Sequence, residues 1–148
     1  MFTSPSFALE KSIQQHLSAS NNDTGSLLSG SNAAYYTGIN NLDIAESPAV
    51  IIDAKDCREV YFGTRVYEFT TKIVVKEIAF DTDTSNLGVL AGQVFNEFVN
   101  STTASVWISA QPYKINVWQV QTIGFTTEIN EDSLINTGEF RIIGAQIP

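Results

Sequence analysis

The sequence predicts an α+β domain in which a mostly antiparallel twisted sheet of four to six strands packs against one amphipathic helix. Three observations carry this expectation. Residues Gly63 to Ile78 alternate as a strand does, placing Tyr67, Phe69, Thr71, Ile73 and Val75 on one face and Glu68, Thr70, Lys72, Val74 and Lys76 on the other. Just downstream, Leu87, Leu90, Ala91, Val94, Phe95 and Phe98 recur at helical spacing, so a helix over about 85–98 can cover the apolar side of that strand. The order of patterns is helix, loop, strands, helix, strands, which is not the strict alternation of a parallel α/β fold. At 148 residues, 43% of them apolar, the chain is long enough for one domain and apolar enough to build a core.

The elements follow in order. Ser6 is placed to cap a first helix running to about Leu17, with Leu9, Ile13 and Leu17 in one line. That stripe is narrow, so this helix is expected to lie on a surface, with Glu10 and Lys11 pointing away from it. The Gly/Ser-rich stretch from Ser18 to about Tyr36 reads as a long loop or arm. Its isolated Leu27 and Leu28 are available to plug into something, and the arm is expected to become ordered only on docking. Pro48 suits the start of a strand, and the unbroken run Ala49–Ala54 implies burial on both faces. Glu59–Phe62 forms a further strand, with Gly63 as a turn or bulge. Thr84 or Ser85 is the expected cap of the second helix, with Asp81 and Asp83 at its positive end. Val106–Ile108, Ile115–Phe125 and Phe140–Ile147 read as strands, with an acidic turn at Asn130-Glu131-Asp132.

Composition narrows the function. A formal net charge of −8 argues against an electrostatic grip on nucleic acid, which needs Lys and Arg to neutralise phosphates. Cys57 is the sole cysteine, so neither an internal disulfide nor a cysteine-based metal site is available. The start of the chain lacks a basic and then apolar leader, and no apolar run approaches the ~20 residues that span a bilayer. A soluble chain made in a cytoplasm is expected, and the glycosylation patterns at Asn22 and Asn100 then read as chance.

Few residues carry chemistry. His16, the sole histidine, falls one step off the apolar line of the first helix, as a solvent-facing or interface side chain would. No nucleophile elbow accompanies it. Cys57 precedes Arg58, which could lower the thiol pKa, although a buried or idle thiol accounts for it better. The pairs Asp53/Asp56, Asp81/Asp83 and Glu131/Asp132 lack calcium-loop spacing and read as solvated turn residues. Gly88 and Gly92 fall inside the helical pattern, where close helix–sheet packing explains them better than phosphate binding does. Trp107, Tyr113, Trp118 and Phe125 could stack on bases, but with so few cations nearby they read as core or interface residues. No enzyme, metal or cofactor site is expected.

One resemblance goes further. A leading helix is followed by the Pro-initiated strand Pro48-Ala49-Val50-Ile51-Ile52, then by the Gly-turn strand Val60-Tyr61-Phe62-Gly63-Thr64. The long alternating strand Tyr67–Val75, an acidic link, an amphipathic helix, a Val-x-Ile strand and a closing hairpin complete the order. This pattern, over about Phe7 to Ile147, resembles the tail terminator and tail completion proteins of long-tailed bacteriophages. The resemblance implies one terminator-like domain over 1–148, located in the virion neck and assembled in the host cytoplasm. It implies a ring, hexameric in that family, that ends tail-tube polymerisation and docks the head connector. Partners would be identical copies, the tail tube protein and head–tail connector or neck proteins, with DNA passing through unbound and no membrane involved. The arm (Leu27, Leu28) and the last strand (Phe140, Ile142) are the expected contacts, and Asp81, Asp83, Glu131 and Asp132 the loop-borne candidates to line the lumen. The alternatives are another neck component, such as a connector or minor tail subunit, or a small ligand-binding α+β domain.

Overall fold

The computed structural model describes residues 4–22, 34–38, 48–78, 88–100, 115–130 and 133–146. Two helices, α1 (Pro5–Asn22) and α2 (Val89–Asn100), accompany five strands: β1 (Ala34–Thr37), β2 (Ala49–Tyr61), β3 (Val66–Ile78), β4 (Ile115–Asn130) and β5 (Ser133–Gln146). The sheet runs β1-β2-β3-β5-β4. The β1/β2 pair is parallel and the other three pairs are antiparallel, so the expected α+β class with a mostly antiparallel sheet is the class observed.

The alternation in β3 sorts the two faces as its residues dictate. Phe69, Ile73 and Val75 join one core with Val50 and Ile52 of β2, Ile115 and Val117 of β4, and Phe140 and Ile142 of β5. Ala91, Val94 and Phe98 of α2 close that core, with Phe98 and Phe140 ring centroids 4.6 Å apart. Burying each such side chain stabilises the fold by roughly 1.5–3 kcal/mol. On the other face Ala49 and Ile51 pack with Val74 and Ile135, so the run at the start of β2 is buried on both sides, as its unbroken apolar character requires. The outer face of β3 is therefore not uniformly polar.

The first helix departs from expectation. It begins at Pro5, whose missing N–H costs nothing at a first helical position, and the Ser4 carbonyl accepts the Ala8 N–H at 2.8 Å. Leu9, Ile13 and Leu17 are fully buried in the same core as α2. A three-residue line suffices here because Ala8 and Ser12, both small and buried, let the helix sit close to the sheet. Glu10 is likewise buried, contrary to its expected outward direction, and its Oε1 accepts the Ala54 N–H at 2.9 Å. Ala54 lies in a register irregularity between Asp53 and Asp56, where the β2–β3 ladder offers it no partner.

The expected arm divides. Residues 18–22 extend α1, and Ala34–Thr37 pair with Ala49–Ile52, while Gln14 Nε2 donates to the Tyr35 carbonyl at 2.9 Å. The two strands expected over 49–62 are one bulged strand, turned back into β3 over Phe62–Arg65. Gly63 (φ 76°) and Arg65 (φ 60°) are left-handed there; Glu59 holds the turn by accepting their N–H groups at 2.8 and 3.3 Å. The second helix starts at Val89, after Gly88 at φ 80°. Gly92 is exposed with open space about it, so close packing does not explain it. The expected caps Thr84 and Ser85 and the Val106–Ile108 strand lie outside the described residues.

Candidate interaction surface

Both helices pack on one side of the sheet; among the described residues, two surfaces away from them carry exposed side chains: the part of the outer face around Glu68, and the β4 edge. Consecutive residues of a strand point oppositely, so Cys57 faces the core while Arg58 faces outward. Across the outer face Arg58 of β2 and Arg141 of β5 converge on Glu68 of β3. Arg58 Nη2 lies 3.2 Å from Oε2, and Arg141 donates through Nη2 to Oε2 and through Nε to Oε1, each at 3.0 Å. These bonds, Arg141 first, hold the Glu68 carboxyl below its usual pKa. Two depressions flank the cluster: about 250 Å³ lined by Asp56, Cys57, Arg58, Glu68 and Thr70, and about 150 Å³ lined by Gln119, Gln121, Arg141 and Ile143.

The edge is of another character. β4 carries Trp118, Ile123, Phe125 and Ile129, which are 50%, 55%, 54% and 72% exposed. Register irregularities set Trp118 and Ile123 apart from the ladder, and Gly124–Asn130 then runs in continuous register with β5. Phe125 stays partly inside: its ring is 5.0 Å from Phe95 of α2 and 5.9 Å from Phe140. Gly138, directly opposite Phe125, leaves room for these rings; a Cβ there would lie 2.8 Å from both Phe95 and Phe140. The tip of the β2–β3 turn presents a third exposed aromatic, Phe62.

The sequence-derived candidates distribute unevenly over these surfaces. Phe140 and Ile142, expected at an interface, are core side chains, because β5 lies between β3 and β4 and not at an edge. Leu27, Leu28, Asp81, Asp83, Glu131, Asp132, Trp107 and Tyr113 lie outside the described residues. Asp53 and Asp56 are on β2 and not in a turn. His16 is mostly buried between the helices, with Nε2 3.6 Å from Glu97 Oε1; burial lowers its pKa and Glu97 opposes that shift. The Cys57 thiol is pushed up by burial, with a hydrogen bond to Ser6 opposing, and the Arg58 guanidinium is committed to Glu68 instead. Sequence reasoning missed Glu77. It sits at the end of β3 beside the N–H groups of Gly88, Leu90 and Ala91 at the start of α2, which favour its charged form, while burial raises its pKa overall and leaves Oε2 without a hydrogen-bond partner among the described residues. Among the described residues no cluster of His, Cys, Asp or Glu could hold a metal ion, and no helix is long and apolar enough to cross a membrane.

Compared with protein-family models and with curated proteins, the chain matches none.

Proposed function

We propose that this chain is a structural subunit of a phage virion, forming a ring at the head-proximal end of the tail tube. The ring ends tube polymerisation and offers the surface on which the head connector docks. The observation that carries this reading is the one-sided construction of the domain. Two helices seal one face of the sheet; among the described residues, the part of the other face around Arg58, Glu68 and Arg141 and the long β4 edge carry charged and apolar side chains in solvent, while Ala49, Ile51, Val74 and Ile135 of that other face are buried. A subunit whose work is contact with copies of itself needs such uncommitted surfaces, and a ring is a contact that closes on itself. The net charge of −8 suits a passage that repels DNA and does not hold it.

The test is mass in solution, measured by light scattering, alone and with a tail-tube subunit. The expected result is a closed oligomer that binds tube ends and shortens the tubes formed. A chain that stays monomeric and leaves tube length unchanged would reject the role.

A further inference from the structure

We infer that the β4 edge is where this chain pairs, strand to strand, with a second copy of itself. Strand β4 is the longest in the sheet and, among the described residues, one of its two outer strands; the other, β1, is only four residues long. Natural edge strands are usually shortened or guarded by Lys or Pro against pairing with other chains. β4 contains no Lys, Arg or Pro, and its one charged residue is Glu128, whereas β2 carries five charged residues and β3 four. Its irregularities at Trp118 and Ile123 interrupt the edge, but Gly124–Asn130 is a straight run with Phe125 and Ile129 exposed on the helix-covered side of the sheet. Helix α2 reaches Phe125 through Phe95 but leaves that ring about half exposed and Ile129 72% exposed, so a neighbouring sheet edge could continue both the ladder and the core.

Charge selects the partner. A cationic protein would be drawn to the acidic surface and gain little from this strand. A second copy, itself carrying −8, meets least repulsion where carboxylates are fewest. The four exposed apolar side chains of β4 present on the order of 400 Å² per copy. That is about half of the ~800 Å² per partner of a standard interface, and the paired backbones supply further area. The mode is strand addition, with main-chain bonds giving strength and the apolar side chains setting register. This association does not depend on a tail: it holds whether or not the assembly caps a tube.

The experiment compares the purified full chain with the double variant Ile123→Lys/Ile129→Lys and with Phe62→Lys, a still more exposed apolar site off the edge. Light scattering gives the mass, and circular dichroism checks folding. The expected result is an oligomer for wild type and for Phe62→Lys, and a folded monomer for the double variant. As a second readout that needs no variant, amides of residues 124–130 in the wild-type chain should exchange at least tenfold more slowly at high than at low protein concentration. A wild-type chain that is monomeric at every concentration overturns the inference. So does a double variant that keeps the wild-type mass, or exchange in 124–130 that ignores concentration. An oligomer that depends on β4 but ignores tail tubes would reject the neck role and leave this inference standing.

Discussion

Glu10 shows how a single polar side chain is recruited into the core. The irregularity in β2 releases the Ala54 N–H from the ladder, and the Glu10 carboxylate, reaching from α1, accepts it at 2.9 Å. A buried donor left without a partner costs about 1–3 kcal/mol. Glu10→Ala is therefore expected to lower unfolding stability by about 1–3 kcal/mol in urea denaturation, with Glu10→Gln recovering much of the loss because its amide oxygen still accepts. Equal losses in both variants would show that the contact is incidental. Nothing in the sequence marked this role, since Glu10 sits one residue from Leu9 and reads as a solvent-facing position. The apolar partners of Glu10 were readable; the bulge that needs it was not, because a register shift depends on which strand lies opposite.

At the scale of elements, the two helices meet through His16 and Glu97. Burial is the larger influence on His16, and it lowers the pKa from 6.5. The unfolded chain therefore binds this proton more readily than the folded one. The corresponding stability is complete above about pH 6.5 and is lost as pH falls below it, until the depressed folded-state pKa is reached. Wild-type melting temperature is expected to fall between about pH 7 and pH 5, and His16→Gln to flatten that part of the profile. A variant that retains the full wild-type slope would assign the loss to other groups. The capping of α2 belongs at this scale too. Thr84, Ser85, Asp81 and Asp83, expected there from spacing along the chain, lie outside the described residues; among those described, the carboxylate beside the N–H groups of Gly88, Leu90 and Ala91 is Glu77, brought there by the end of β3. Local pattern finds neighbours in sequence; a cap delivered by another element needs the packed arrangement.

For the molecule as a whole, the governing contrast is between an acidic body and a nearly uncharged edge. If copies associate through β4, repulsion between acidic bodies opposes them and salt screens it, with a Debye length of about 30 Å at 0.01 M and about 8 Å at 0.15 M. Association is thus expected to tighten on raising ionic strength over that range, as read by sedimentation equilibrium. An interface built on ion pairs, such as one formed by Arg58 and Arg141 with a partner's carboxylates, would instead loosen.

The alternating strand over 66–78, the amphipathic helix ending near Asn100 and the doubly buried start of β2 were legible in the chain because periodicity and unbroken apolar runs are local properties. They were enough to establish an α+β domain with a helix-covered sheet. Strand order is not local. Only the tertiary structure decided that β5 lies inside the sheet, which turns Phe140 and Ile142 from candidate contacts into core, and that β4 lies outside it, which leaves Trp118, Ile123, Phe125 and Ile129 exposed. The physical reason is that a strand's side chains follow its own sequence, whereas its free hydrogen-bonding edge depends on which strands pair beside it.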